Sequence, residues 1–400
     1  MKKRVVTHEL LKRLLFTLLI LVVYFLGRNI LLFKVDASAY KLVELDSQNI
    51  MDSVLGGDRN QYTLFALGIM PVVMSSLIIS IYMIVRGKEY RSHVSRNMQE
   101  SWQFRIALVI SIIYAYSRAN SLIFVKTDIN IFILKIIASL EMILGTIIVY
   151  YITDKNKEFG IGNHTPFILL NIADGFVRTI SNHEMEDFVT ILPECILVAL
   201  AVFILDNVII KLPVQRVSIH NEYADKDYIG FKLNPMGVMP VMFASTFLTI
   251  PQLIIKIILY FDKNNIKLRA IESELDLNHL TGIYVFLGII FALSIFLPLI
   301  FLSPSNIAEE LQKGGDSIVG VYAGKKTRRY ISFRLLILCV FSGLILCSIM
   351  GASLMFSLSG DIIPELALFP SSIMFLVSNA TSLFEELITY SDFDSYRFFM

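Results

Sequence analysis

The residues able to do chemistry are few, and their spacing argues against a reaction. Six histidines, His8, His93, His164, His183, His220 and His279, are scattered along the chain. None has a partner at the i, i+4 spacing that puts two imidazoles on one helix face for a metal. Cys195, Cys339 and Cys347 all fall in apolar segments. An odd count without a C-x-x-C pair encodes neither a disulfide framework nor a zinc site. "GVYAGKKT" at 320–327 has the outline of a phosphate-binding Walker A loop. That loop needs four residues between its glycines and Ser or Thr directly after Gly-Lys. Here three residues separate Gly320 from Gly324, and Lys326 follows Lys325. "GIG" at 160–162 has no strand before it, so it does not mark a nucleotide fold. No catalytic residue, metal site or cofactor is expected, and a basic loop that docks a partner accounts best for 320–329.

Charges inside apolar runs are the next place to look for chemistry. A charge at the middle of a bilayer costs at least about 2.5–3.5 kcal/mol on insertion scales. Lys135, Glu141, Asp174, Asp206, Lys256 and Arg334 lie in such runs. Most are within two turns of a run's end, where a long side chain snorkels to the interface. They form no clustered Asp/Glu/His relay of the kind a proton pump needs. More unusual is a repeated pattern. "LGIMPVVMSSLIIS" (67–80) and "NPMGVMPVMFASTFLTIP" (234–251) both carry Gly-[Ile/Val]-Met-Pro-Val at the head of an apolar segment. Pro costs little in the first turn of a helix, and a preceding Gly permits a bend or a close backbone approach. Two inverted halves would produce such a pair; so would chance similarity of two apolar pentapeptides.

The elements that carry these residues are set by composition. Apolar residues make up 55% of the 400 residues and charged residues 17%, with a mean hydropathy of +0.66. Soluble chains average about 45–50% and about 25%, so much of this surface must face lipid. The formal net charge of +1 gives no reason to expect a nucleic-acid partner. The first apolar run is longer than a signal-peptide core of about 7–15 residues and lacks a small-x-small cleavage site, so it reads as a retained span behind a basic amphipathic segment, 1–13. Crossing the hydrocarbon takes about 20 apolar residues. Ten spans are expected: 14–33, 64–85, 102–123, 129–152, 165–180, 188–210, 237–261, 282–302, 330–356 and 363–390. The fifth is short and interrupted by Asn171 and Asp174, which suits a helix inside a bundle better than one facing lipid.

An even number of spans places both termini on one side. With the termini inside, 21 of the 35 Lys+Arg fall on inner segments and 7 on outer ones, Arg28, Arg105, Arg118, Lys135, Arg178, Lys256 and Arg334 remaining within spans. The excess follows the positive-inside rule, so both termini and the tail 391–400 are expected in the cytosol. The outer segment 34–63 reads as a short helix packed back on the bundle. The inner segment 211–236, with β-type residues around "HNEYADKDY", reads as a cytosolic hairpin.

Five collinear stretches resemble signatures of SecY, the channel family of the general protein-export translocase. They are "FALGIMP" (65–71), "EFGIGNHTPFILL" (158–170), "KLPVQR" (211–216), "FKLNPMGVMPVMFASTFLTIP" (231–251) and "LSPSNIAEELQKGGDSIVGVYAGKKTRRYI" (302–331). The resemblance implies an all-α polytopic membrane protein, ten helices in two inverted five-helix halves (14–180 and 181–390) forming a clamshell. It implies a pore ring at Ile69, Val73, Thr165, Leu169 and Met242, with Phe375 added from span ten. It also implies a plug near 47–57, comprising Ser47, Asn49, Ile50, Met51, Val54, Leu55, Gly56 and Gly57. A collar of apolar side chains fits around a moving chain and excludes water when empty; Thr165 departs from that aliphatic pattern.

The departures concern partner choice. The loops 211–236 and 303–329 are where the family docks its motor ATPase or the ribosome, and they contain Arg216, Ile219, His220, Tyr322, Lys325, Lys326, Arg328 and Arg329. Tyr322 stands where the family keeps Arg, Ile219-His220 where an Arg pair is expected, and the hairpin is short. This resembles the accessory Sec paralogue of Gram-positive bacteria. The resemblance then implies a specialised SecA-like motor, small SecE/SecG-like membrane subunits, and unfolded serine-rich glycosylated adhesins as cargo. A housekeeping SecY channel stays open as an alternative. So does a secondary transporter with a small-molecule site at the broken helix starts, which would need polar groups converging at midplane.

Overall fold

The computed structural model describes residues 9–36, 62–87, 90, 93–125, 129–183, 185–215, 228–261, 265–359 and 363–397. Its helices are α1 (Glu9–Gly27), α2 (Met70–Arg86), α3 (Arg96–Ser121), α4 (Ile131–Phe159), α5 (Thr165–Asn182) and α6 (Met185–Asn207), then α7 (Met239–Phe261), α8 (Ile266–Glu274), α9 (Leu280–Leu302), α10 (Pro304–Gly314), α11 (Lys325–Ser359), α12 (Pro364–Ala367) and α13 (Phe369–Arg397). Three short strands, β1 (Ile209–Gln215), β2 (Tyr228–Lys232) and β3 (Ser317–Ile318), form one sheet in the order β2-β1-β3. Two compact units divide the chain: 1–80, 92–190 and 375–400 form the first, 81–91 and 191–374 the second.

Helix starts are chemically marked. The Ser95 and Asn130 side chains accept from the Met98 and Phe132 N–H groups, satisfying donors that the first turn leaves open. In the first unit α1 buries only Thr17, Ile20, Tyr24 and Gly27, a single stripe. Its opposite face, including Leu15, Leu19, Val22 and Leu26, is exposed. A helix that turns leucines outward and a small or polar stripe inward is built for lipid, where packing rather than apolarity distinguishes the inner face.

Among the described residues five helices are long and apolar enough to cross a membrane: α1, α4, α6, α9 and α11. The helices α2 and α7 contribute shorter apolar stretches, Met70–Arg86 and Met239–Leu248. One expectation needs correction. The first helix ends at Gly27, not at 33. After it, Leu32 N–H bonds to Tyr62 O, Asp36 N–H to Ile123 O and Val125 N–H to Lys34 O, so 30–36 forms backbone pairs with two other segments. The helix closes in a tightened turn, with Arg28 N–H bonding Tyr24 O but Asn29 and Ile30 bonding only three residues back, to Leu26 O and Gly27 O. Between the expected spans 237–261 and 282–302 the chain also forms α8, nine residues of low hydropathy that carry no span signal.

In the second unit β1 and β2 pair antiparallel, Ile209 opposite Lys232 through Pro213 opposite Tyr228. Residues 216–227 between them lie outside the described set. The strand β3 then adds to β1, Val214 opposite Ile318 and Gln215 opposite Ser317. Leu212, Phe231 and Ile318 pack with Ile331, Leu335, Leu338 and Cys339 of α11. The described parts of the loop segments 211–236 and 303–329 thereby pack together.

Candidate functional site

The two Gly-x-Met-Pro stretches have the same backbone. Gly68 has φ +56° and Gly237 φ +58°, a left-handed conformation that side-chain-bearing residues avoid. In each, the next carbonyl collects the helix's first bonds. Ile69 O accepts from Val72 and Val73, and Val238 O accepts from Val241 and Met242. Each proline is the second residue of its helix, where no N–H is required. The repeat is thus a repeated local structure, with Ile69 matched to Val238 and Val73 to Met242.

In the first unit Ile69 and Phe375 are fully buried and Val73 nearly so, while Thr165 and Leu169 are half-buried. Thr165 opens α5, its N–H donating to Gly162 O, and Leu169 follows one turn later. Met242 is buried in the second unit. The side chain that positions this part of the first unit is Tyr24, which sequence reasoning missed. Its ring stacks on Phe65 at 5.6 Å, four residues before Ile69, and meets Phe167 edge-on at 5.2 Å, two residues before Leu169. Its hydroxyl lies 3.3 Å from Asn171 Oδ1. Only a Tyr inside an otherwise Leu/Val-rich span hinted at this, as buried Tyr needs a polar partner.

The turn before α5 is held from two helices. Asn156 Nδ2 donates to Ile161 O and Asn163 O, and Thr17 Oγ1 donates to Asn156 Oδ1 at 3.0 Å. Arg13 reaches Gly160 O at 3.2 Å and lies over the Tyr390 ring. Charges within the spans have partners as well. Arg28 pairs with Asp174 at 2.9 Å, Glu141 accepts from the Phe33 N–H, Asn234 donates to Asp206, Lys135 donates to Asn120, and Arg334 lies over Tyr330. Arg28 and Asp206 are buried beside their partners, whereas Arg334 and the Lys135–Asn120 pair lie at the surface.

On the docking side Tyr322 is 77% exposed. Its carbonyl accepts from Thr327 Oγ1 at 2.9 Å, and Lys326 Nζ sits 4.6 Å from its ring centroid. Lys325, Arg328 and Arg329 are exposed on the first turns of α11. On α10, Lys313 bonds Glu309 at 2.7 Å, and that carboxylate holds the ammonium above its ordinary pKa. The plug residues Ser47, Asn49, Ile50, Met51, Val54, Leu55, Gly56 and Gly57, and the hairpin residues Arg216, Ile219 and His220, lie outside the described residues.

Comparison with known proteins matches the SecY family model over residues 63–384. An accessory Sec system protein translocase subunit SecY2 from Leuconostoc gelidum subsp. gasicomitatum is 28% identical over 95% of this chain and 94% of its own. Its counterpart from Streptococcus sanguinis is 26% identical over 97% of both chains. Among solved structures, a protein-conducting channel superposes with a TM-score of 0.67 at 16% identity, over 96% of this chain and 93% of that one. Sec61 in the canine ribosome–channel complex gives 0.60 at 15%, with the same coverage. The fold is SecY/Sec61-like and mostly helical. With the family model covering most of its length, the chain belongs to the SecY family of protein-translocation channel subunits.

Proposed function

We propose that this protein is the channel of an accessory Sec translocase, passing unfolded polypeptide outward through the cytoplasmic membrane and driven by a partner ATPase. The observation that carries this reading is the docking face. A family channel presents, on one packed sheet-and-helix structure, an exposed Tyr322 under Lys326 where the resemblance expects Arg. The accessory relatives support it. Ten spans in two inverted halves, 14–180 and 181–390, surround the pore, with 1–13 and 391–400 in the cytosol. Gly68 and Gly237, at the heads of spans two and seven, support the inverted pairing. Ile69, Val73, Thr165, Leu169, Met242 and Phe375 form the ring, 47–57 forms the plug, and small SecE/SecG-like subunits complete the complex. Serine-rich glycosylated adhesins are the cargo.

Arg offers five donors in a planar fork; Tyr offers one hydroxyl and an aromatic face. A motor adapted to Arg would leave acceptors unpaired against Tyr322, at about 1–3 kcal/mol for each buried orphan. The channel therefore prefers a specialised SecA-like motor over the general one. Competition between the two motors for reconstituted channel measures this, and Tyr322→Arg should shift the preference toward the general motor. Equal affinity for both, unchanged by the substitution, would favour a housekeeping channel.

A further inference from the structure

The turn that starts α5 is gripped by side chains from two other helices. His164 precedes α5 without a side-chain cap, and Pro166 is the second residue of the helix. Just before them Gly162 and Asn163 are both left-handed, with φ +76° and +48°. A side-chain-bearing residue keeps that conformation only where its surroundings enforce it. Asn156, fully buried near the end of α4, does so. Both its Nδ2 hydrogens are used, on Ile161 O at 3.0 Å and on Asn163 O at 2.7 Å. Thr17 on α1 accepts the Ile161 N–H at 2.9 Å. Its own hydroxyl proton is within reach of Asn156 Oδ1 and Arg13 O, each at 3.0 Å. Both main-chain groups of Ile161 are therefore held from outside. Gly160 makes the grip possible, since a Cβ there would run into Asn156 Oδ1 and Thr17 Oγ1.

Asn suits this place because one short amide supplies two donors and an acceptor. Asp would point a second carboxylate oxygen at two carbonyls, and Leu would leave both carbonyls unpaired. The other buried hydroxyls of α4 behave differently. Thr146 and Thr153 bond Met142 O and Val149 O within their own helix. Asn156 instead directs its amide to the turn, and α5 takes its depth and rotation from that turn. Thr165 is the first residue of α5, its N–H bonded to Gly162 O at 2.8 Å, and Leu169 follows one turn later.

We propose that Asn156, assisted by Thr17, is a positioning residue for the pore: it fixes the start of α5 and so holds Thr165 and Leu169 where they close the ring. This rests on the ring reading of those two residues. Full-length channel in planar bilayers gives ion conductance, and amide hydrogen exchange of the same protein reports on the turn. Asn156→Leu should raise conductance and speed exchange at Ile161 and Thr165 at least about tenfold, the weight of two hydrogen bonds of ordinary net strength. Thr17→Val should act in the same direction and keeps the test informative if Asn156→Leu misfolds. Thr17→Ser, which retains the hydroxyl, should match the wild type. Thr153→Leu, overpacked on the same helix, should lower the thermal midpoint without raising conductance, because a purely structural role moves stability alone. An equal leak in Thr153→Leu overturns the proposal, as does unchanged exchange in both Asn156→Leu and Thr17→Val. Faster exchange at wild-type conductance also overturns it when replacing Ile69 and Leu169 together by Gly does cause a leak. If that pair fails to leak as well, the ring itself is wrong and the positioning role falls with it.

Discussion

Arg28 is 3% exposed, and its guanidinium meets Asp174, which also bonds Arg178 at 3.2 Å. Removing one member of a buried pair costs about 3–5 kcal/mol, whereas replacing both by apolar residues of similar volume is often neutral. Asp174→Ala should therefore lower the thermal midpoint in detergent substantially, and Arg28→Met with Asp174→Leu should restore most of it. Equal losses in the single and double variants would show that the pair does not act as a pair. Sequence reading recognised Asn171 and Asp174 as wrong for a lipid-facing helix. It did not find Tyr24 and Arg28 as their partners, because a contact across nearly 150 positions depends on how α1 meets α5. The Gly-x-Met-Pro starts were legible for the opposite reason. A left-handed Gly and a proline in the first turn act within a few residues, so the five-residue motif is enough to specify the bend.

At the level of elements, α9 and α11 approach along small residues. A Cβ on Gly343 would lie 3.0 Å from Ser294 Cβ, one on Gly351 3.1 Å from a Leu287 methyl, and Cys347 Sγ bonds Leu287 O at 3.5 Å between them. The spacing of four puts all three on one face of α11. Gly343→Leu should force the helices apart, with a cost at or above the about 1–3 kcal/mol typical of overpacking. Gly288→Leu, on α9 but with open space around its Cβ, is the control and should be tolerated. Comparable destabilisation of the two would remove the case for close packing at Gly343. Helix existence was legible from apolar runs of span length; helix ends were not. The apolar residues 30–33 looked like more of span one because hydropathy does not distinguish helix from a buried pairing segment, and Leu32 is buried through just such pairing. The strand β3 left no signal, since two residues acquire their strand conformation only from β1.

For the whole molecule, the proposed pore ring has to act as a seal that opens for a polypeptide and not for ions. Ile69 and Val73, one turn apart, and Phe375 are buried in the first unit and Met242 in the second; they come from three stretches of chain and all are apolar. An apolar constriction resists wetting, and the barrier falls when side chains are shortened enough for a continuous water column. Ile69 accepts the first bonds of α2 through its carbonyl, so a substitution there alters the side chain while keeping that acceptor. Leu169 lies one turn inside α5, where a Gly costs about 1 kcal/mol relative to Ala, and loss of the buried Ile69 side chain adds about 2–5 kcal/mol, so folding is measured alongside conductance. Replacing Ile69 and Leu169 together by Gly should raise ion conductance in planar bilayers. The same pair of substitutions at Val22 and Leu26, exposed on α1, should leave it unchanged although both positions are inside a helix. A conductance that stays at the wild-type level in the Ile69/Leu169 variant, with the protein still folded and inserted, would mean that the seal is made elsewhere.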